Sequence, residues 1–194
     1  VMTTFSKSIS KEEMMTLQPA SFGGRIVVVD TPEQVKTACE DLAACDVIGF
    51  DTESRPSFKK GVVNKIALLQ LSTPDTCYLF RLCRIPLERP VLKILESRRI
   101  LKVGLGLDGD FRELGSLRHF KARGFVDLQK MVAEYGIEDA SLTKISSIVL
   151  GRRISKAQRL SNWEAVELTY AQRLYAATDA WICIEIYKKL IDSK

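Results

Sequence analysis

Hydrophobic positions change their spacing several times along the chain, and these changes divide it into predicted strands and helices. Short runs rich in β-branched and aromatic residues, bounded by turn residues, are typical of strands. Apolar residues spaced three and four apart after a capping residue are typical of helices. The predicted strands are residues 26–29, 47–53, 65–72, 76–80, 100–103 and 125–126. The predicted helices are residues 31–44, 86–97, 111–117, 128–135, 142–150 and 171–191.

This order of elements predicts an α/β fold, in which a mixed β-sheet is flanked by helices and the C-terminal half is helical. The strands over 47–53, 65–72 and 76–80 are joined by short connections, so two or three of them should pair antiparallel. Every strong helical pattern lies between or after the strands, which places helices on the faces of the sheet.

The first two dozen residues have a different pattern and form a predicted N-terminal extension, residues 1–24. Ser10 and Glu13 fit a capping box that opens a short helix, which should end by Pro19. Gly23 and Gly24 then interrupt the chain before the regular pattern begins. We therefore expect one main domain over residues 25–194, a length that can bury a single core.

Composition indicates a compact globular protein and argues against several other classes. The 194 residues are 46% hydrophobic, yet no apolar run could cross a bilayer and the first residues lack the apolar core of a secretory signal. Five cysteines without a CxxC pair, mostly within apolar patterns, favour buried free thiols in a reducing cytoplasm over a zinc site. The single histidine, His119, has no metal-ligand spacing to another residue. We expect a cytoplasmic protein.

Two acidic residues follow an apolar strand in an unusual position. Asp51 and Glu53 lie on either side of Thr52, so on a strand their carboxylates point to the same side. The residues before them are apolar on both faces, as in a central strand, and two like charges at its end are unfavourable unless a cation compensates them. A hard divalent ion with oxygen ligands would do so. An ion-pair network could occupy the same position.

A glycine-rich turn over residues 104–109 presents a further acid, and spacing leaves Asp108 and Asp110 open for this role. Asp108 could cap a helix that begins after Gly109. Asp110 would then lie in the first turn, where the helix dipole favours a carboxylate. We favour Asp110 as a metal ligand, with Asp108 as the alternative.

Tyr175 and Asp179 lie four residues apart in the last predicted helix and therefore on one face of it. An acid that can hold a metal ion, beside a phenol that can position water, predicts a reaction centre. The alternative is a packed tyrosine with an acid that faces solvent. With the acids upstream, the pair suggests a site of four carboxylates and two metal ions.

Positive charge is concentrated in two stretches of the chain. The net charge is +5 and the pI is about 9.0, which permits a polyanionic partner. The two stretches contain Arg55, Lys59, Lys60 and Lys65 after the first acids, and Arg152, Arg153, Lys156 and Arg159 before Trp163. They are either two solvated loops or two phosphate-contacting rims around an acidic centre.

Three ordered motifs make the chain resemble a known family. The first is Phe50-Asp51-Thr52-Glu53, followed by the segment 64–71, which contains Gln70. The second is the segment 102–110 with its three glycines, and the third is the segment 174–180, preceded by Ser161-Asn162-Trp163. On these motifs the chain resembles the DEDD superfamily of 3′–5′ exonucleases, in its tyrosine-bearing subgroup. The resemblance covers about residues 26–190, and no histidine lies where the histidine-bearing subgroup has one.

The resemblance implies a ribonuclease H-like fold and the release of nucleoside 5′-monophosphates from a 3′ end of DNA or RNA. It implies four carboxylate ligands for two divalent ions, Mg²⁺ or Mn²⁺: Asp51, Glu53, Asp110 and Asp179. Tyr175 would orient the attacking water. Two such ions about 3.5–4 Å apart can activate water and stabilise the leaving 3′-oxygen. Neither a nucleotide cofactor nor a membrane partner is expected.

The sequence departs from this family directly after the first acid pair. Such domains often have a large apolar residue there, whereas this chain has Ser54-Arg55-Pro56, which leaves the local substrate contact open. The predicted substrate contacts are Thr52, Lys65, Arg153, Ser161 and Trp163, and the tryptophan could either stack on a base or be buried. The rival hypothesis is a non-catalytic nucleic-acid-binding module on the same fold, which would be expected to lack an acid or the tyrosine.

Overall fold

The computed structural model describes residues 4–194 and contains one main sheet covered by helices. In chain order the elements are α1 (Lys11–Met15), β1 (Gln18–Pro19), β2 (Arg25–Val29), α2 (Pro32–Ala43), β3 (Val47–Ser54), β4 (Ile66–Ser72), β5 (Thr76–Phe80), α3 (Arg89–Leu95), β6 (Leu101–Gly104), α4 (Leu107–Leu117), β7 (Phe125–Asp127), α5 (Leu128–Ala133), α6 (Leu142–Leu150), β8 (Arg152–Arg153) and α7 (Tyr170–Ile191).

The main sheet has six strands in the order β2-β5-β4-β3-β6-β7. β4 runs antiparallel to both of its neighbours, β3 and β5, and the other neighbouring pairs are parallel. The antiparallel pairs join the three strands that short connections link, because such connections leave no room for a crossover. The predicted mixed sheet flanked by helices is confirmed.

Helices cover both faces of this sheet and divide the core into two sides. On one face, α2, α3 and α4 pack against Phe50, Leu69 and Leu71. On the other face, α5, α6 and α7 contribute to two further clusters that include Val103 and Leu68. β4 is buried along its whole length because both of its faces are covered, which explains its nearly continuous apolar sequence.

Helix α4 begins earlier than its sequence predicts. Gly106 precedes it in the left-handed region, with φ of 65°, where a glycine is favoured. The carboxylate of Asp127 accepts hydrogen bonds from the backbone N–H groups of Gly106 and Leu107 and so stabilises the start of the helix. Asp108 therefore lies within the helix and is not its N-cap, because Gly106 occupies that position and the distant Asp127 accepts from the first N–H groups.

The N-terminal segment packs on the C-terminal half of the chain. α1 has the predicted capping box between Ser10 and Glu13. β1 pairs in parallel with β8, a contact of two residues on each side that is too short to leave a pattern in the sequence. The ring of Phe5 lies 6.1 Å from that of Tyr135, and Ile9 donates its backbone N–H to Asp139. The boundary at residue 24 stays a prediction.

Within residues 4–194, none of the helices combines the length and the apolar character that spanning a membrane requires. All five cysteines are free, and three of them, Cys39, Cys77 and Cys183, are buried.

Candidate active site

Three carboxylates from distant parts of the chain meet at the end of β3. Oxygen atoms of Asp51, Glu53 and Asp179 all lie within 4.8 Å of one another. The first two lie on the same side of β3, as strand geometry requires, and Asp179 reaches them from α7. A cluster of carboxylate oxygens is the donor set that hard divalent cations such as Mg²⁺ and Mn²⁺ prefer, so these residues fit such an ion.

Close packing of α7 on β3 brings Asp179 to this cluster. A Cβ atom at Gly49 would lie 1.9 Å from the carbonyl oxygen of Ala180, so only glycine permits this approach. The face of α7 beside the sheet is built from Ala176, Ala177 and Ala180, all of them fully buried. Small side chains on both elements therefore set the short distance between the helix and the strand.

Burial and mutual repulsion make the ionisation of all three acids unfavourable. Burial, followed by the charge of Asp110, raises the pKa of Asp51 to about 7. The pKa of Glu53 rises to about 10, mainly through burial and then through the charges of Asp51 and Asp179. Burial, with the charge of Asp51, also raises the pKa of Asp179. A bound cation would reverse this effect, since an opposite charge favours the ionised form.

The fourth predicted acid, Asp110, lies beside the cluster and bonds to the residue between the first two acids. Its carboxylate accepts a hydrogen bond from the hydroxyl of Thr52, and burial raises its pKa to about 6. It does not belong to the group of three oxygens within 4.8 Å, although its charge acts on Asp51. Asp108 is exposed and lies 3.9 Å from the ammonium of Lys130, which makes it the weaker candidate.

Tyr175 lies one helical turn before Asp179 and is half-buried. Burial, followed by the charges of Asp179, Glu53 and Asp51, raises the pKa of its phenol above the ordinary value. The phenol therefore stays protonated at neutral pH. It can donate a hydrogen bond to a water or a phosphate oxygen but cannot act as a base.

The segment that precedes α7 packs against this tyrosine. Trp163 has no exposed surface, and its ring lies 6.0 Å from that of Tyr175 at an interplanar angle of 30°. Ser161 donates its hydroxyl to the carbonyl of Gln158 and accepts a hydrogen bond from the amide of Gln172. Of the two alternatives for Trp163, the structure shows the buried one.

The two predicted phosphate contacts lie in different surroundings. Lys65 is exposed at the end of the loop between β3 and β4. Arg153 lies in β8, is half-buried, and donates from Nε to the carbonyl of Leu17 at 3.1 Å. The predictions that these side chains contact substrate stay predictions.

A cavity of about 440 Å³ adjoins the acid cluster, and its lining includes two residues of the second basic stretch that were not among the predicted substrate contacts. Tyr175 and Asp179 line it, and so do Lys156 and Arg159, together with several hydroxyl and amide groups. Both basic residues belong to the same stretch as Arg153. Spacing alone could not show which basic residues of this stretch line the cavity, because the pairing of β8 with β1 determines where Arg153 and the residues after it lie.

The sequence motifs include Gln70 but assign no role to it, and the structure shows that it is a fully buried polar residue of β4. Its amide nitrogen lies 3.2 Å from a carboxylate oxygen of Glu53 and 3.5 Å from one of Asp51. The available signal was a single amide within the apolar run over residues 66–71.

Comparison with known proteins assigns the family. The family model described as 3′-5′ exonuclease matches residues 26–193. The chain belongs to the 3′–5′ exonuclease family. Its exonuclease relatives include the mouse bifunctional 3′-5′ exonuclease/ATP-dependent helicase WRN, which is 36% identical over 95% of this chain. An Arabidopsis thaliana 3′-5′ exonuclease is 29% identical over 88% of the chain, and the Drosophila exonuclease 3′-5′ domain-containing protein 2 is 33% identical over 81%.

The chain spans only part of the length of each of these relatives. It covers 14% of the mouse protein, 65% of the Arabidopsis protein and 27% of the Drosophila protein.

Solved structures share the fold of this chain. The EXO domain of Aedes aegypti Nibbler superimposes with a TM-score of 0.79 at 24% identity, over 87% of this chain and 88% of that one. Escherichia coli RNase D superimposes with a TM-score of 0.78 at 22% identity, over 88% of this chain and 45% of that one. The predicted ribonuclease H-like fold is confirmed.

Proposed function

We propose that this chain is a metal-dependent 3′–5′ exonuclease that shortens nucleic acid from its 3′ end and releases nucleoside 5′-monophosphates. The observation that supports this most is the meeting of Asp51, Glu53 and Asp179 beside the phenol of Tyr175, in a chain of the 3′–5′ exonuclease family. The presence of the tyrosine supports a place in the tyrosine-bearing subgroup. A decayed, purely binding module would be expected to lack one of these groups.

We propose that four acids hold two divalent ions, Mg²⁺ or Mn²⁺: Asp51, Glu53, Asp110 and Asp179. When bound, such ions activate water and stabilise the charge that develops on the leaving 3′-oxygen. For Asp110 to join the other three, its carboxylate would exchange the Thr52 hydroxyl for a cation. Thr52 would then be free to donate its hydroxyl to a substrate oxygen.

Tyr175 would orient the attacking water through its hydroxyl. Because its pKa is raised, the phenol keeps its proton throughout the neutral range and offers a donor of fixed position. The buried ring of Trp163 packs against the tyrosine ring and limits its rotation. This packing gives Trp163 a positioning role in the proposed reaction.

Two surfaces beside the acids are suited to the sugar-phosphate chain and the bases. The cavity lined by Lys156 and Arg159 offers basic groups, hydroxyls and an apolar floor next to Tyr175. The loop over residues 55–65 follows β3 directly, contains four basic residues and no acid, and carries Phe58, which is 85% exposed. Exposed aromatic rings in a basic surface bind single strands by stacking and charge, so nucleic acid is the proposed partner. A cytoplasmic location stays a prediction.

The direct test uses oligonucleotides labelled at the 5′ end, so that removal of 3′ nucleotides gives a ladder of shorter labelled products. Single-stranded DNA, recessed duplex and structured RNA should be incubated with Mg²⁺, with Mn²⁺ and with a chelator. We expect shortening with metal only, and none with Asp51→Asn. Asp108→Asn is the matched control, since that acid is exposed and lies outside the cluster.

Two results would contradict the proposal. If no substrate is shortened with either ion while the protein still binds the oligonucleotides, the chain is a non-catalytic binding module. If Asp51→Asn shortens the substrates as fast as the unaltered protein, the assignment of the metal ligands is wrong.

A further inference from the structure

Gln70 occupies the sheet position directly opposite the first catalytic acid. In the antiparallel pair of β3 and β4, its Cα is the register partner of Asp51. Side chains opposite each other in such a pair lie on the same face, so the amide extends toward the acid cluster. The residue has no exposed surface, and residues 66–69 and 71 of the same strand are all apolar.

The amide nitrogen of Gln70 connects the three elements that form the site. Its shortest contact, of 3.2 Å, is with a carboxylate oxygen of Glu53, and a longer one of 3.5 Å reaches Asp51 on the same strand. A third contact of 3.3 Å is with the backbone carbonyl of Ala176, the residue that follows Tyr175 in α7. One side chain of β4 therefore holds the acids of β3 and the helix that carries the other catalytic groups.

The side-chain oxygen of Gln70 makes a glutamine unfavourable at this position, so its presence calls for an explanation. The side-chain oxygen of Gln70 is buried and has no hydrogen-bond partner among residues 4–194. The orientation of the amide follows from its surroundings: the carbonyl of Ala176 and the ionised, cation-binding forms of Glu53 and Asp51 can only accept, and the nitrogen is the atom that donates to them. An apolar residue of the same size would avoid the unpaired oxygen, so the donor is the property that this position uses.

Carboxylates that bind metal ions depend on hydrogen bonds from neighbouring groups for their orientation. We propose that Gln70 is a positioning residue that fixes the carboxylates of Glu53 and Asp51 in the orientation that receives a divalent cation, and that ties this pair to α7. The inference rests on the proposed function. It adds a residue of β4 to the proposed site, beyond the four acids and the tyrosine.

The test compares Gln70→Met with the unaltered protein in a Mn²⁺ titration followed by electron paramagnetic resonance of the free ion. Methionine has nearly the shape of glutamine but lacks the donor. We expect Mn²⁺ binding to weaken about 10- to 100-fold, as is typical when such a partner of a metal ligand is removed. The maximal cleavage rate at saturating Mn²⁺ should change much less, because no group that contacts substrate is lost.

Two further variants separate positioning from stability. Leu71→Met makes a similar change at the next position of β4, on the face that packs against Phe50, and should leave Mn²⁺ binding unchanged. Gln70→Asn keeps the amide but is one methylene too short to reach, so it should weaken binding as Gln70→Met does. If Gln70→Met does not fold, Gln70→Asn serves as the test variant in its place.

The outcomes distinguish this inference from the proposed function. If the unaltered protein cleaves and binds Mn²⁺ but Gln70→Met and Gln70→Asn bind the ion within twofold of it, the positioning role is refuted and the exonuclease proposal stands. If the unaltered protein neither cleaves nor binds Mn²⁺, the proposed function fails and the inference fails with it.

Discussion

Replacing Asp51 by asparagine should stabilise the metal-free protein at alkaline pH while it abolishes activity. Burial and the charge of Asp110 raise the pKa of this carboxyl from 3.8 to about 7, so ionising it in the folded state is unfavourable. Asparagine has nearly the same shape and no charge. The substitution therefore removes a charge that burial, and then repulsion from Asp110, make unfavourable in the metal-free protein.

The size of the effect follows from the two pKa values. Each power of ten in an ionisation constant corresponds to about 1.4 kcal/mol, so the change from 3.8 to about 7 amounts to on the order of 4 kcal/mol. For a chain of 194 residues, 1 kcal/mol shifts the melting temperature by about 2–4 °C. The asparagine variant should then melt up to about 8–16 °C higher than the unaltered protein at pH 8 without metal.

The pH dependence has a definite sign. Between pH 4 and pH 7 the folded protein holds a proton on Asp51 that the unfolded chain has lost, so the free energy of unfolding decreases as the pH rises through this window. Below pH 4 both states hold the proton, and the substitution should have little effect there. Divalent cations bind the ionised form and should restore the stability of the unaltered protein at pH 8 but not that of Asp51→Asn.

The assay is urea denaturation of chelator-treated protein at pH 5 and pH 8, with and without Mg²⁺. Asp108→Asn is the control, because that acid is exposed and its substitution should change neither the pH dependence nor the response to Mg²⁺. If metal-free Asp51→Asn is no more stable than the unaltered protein at pH 8, the repulsion within the cluster has been misjudged.

Three further predictions concern the phenol, the loop and the helix contact. Tyr175→Phe should reduce the cleavage rate about 10²-fold or more with little change in Mn²⁺ affinity, and a rate within threefold of normal would exclude a role for its hydroxyl. Phe58→Ala should weaken oligonucleotide binding, measured by fluorescence anisotropy, by about 1–3 kcal/mol, whereas Tyr170→Ala, at an exposed aromatic residue elsewhere, should not. Gly49→Ala should lower the melting temperature and the Mn²⁺ affinity together, because the new methyl group collides with the carbonyl of Ala180; an unchanged affinity would show that the helix spacing does not set the site.

Much of this fold could be predicted because most of its elements are long enough to show their period. β4 reads as an apolar run because helices cover both of its faces, and α2 begins at a complete capping box of Thr31 and Gln34. The start of α4 could not be predicted, since its backbone N–H groups bond to Asp127, which lies about twenty residues further along the chain. The pair of β1 and β8 was missed for a similar reason.

Some features of the candidate site could also be predicted from the sequence, and others could not. Asp51 with Glu53, and Tyr175 with Asp179, could be recognised because each pair has a local spacing that fixes its geometry. What each group contacts across the fold could not be derived. The hydrogen bond from Thr52 to Asp110 and the contact of Gln70 with Glu53 both depend on three-dimensional packing.

The close contact of α7 with β3 at Gly49 also has a consequence for the order in which the site is made. Asp51 belongs to the third strand of the chain, and Asp179 belongs to the last helix. During synthesis on the ribosome, the sheet can be present while its final helix is still missing, and the nascent chain then has no complete acid cluster. The proposed metal site is therefore completed only after α7 has left the ribosome and packed on the sheet.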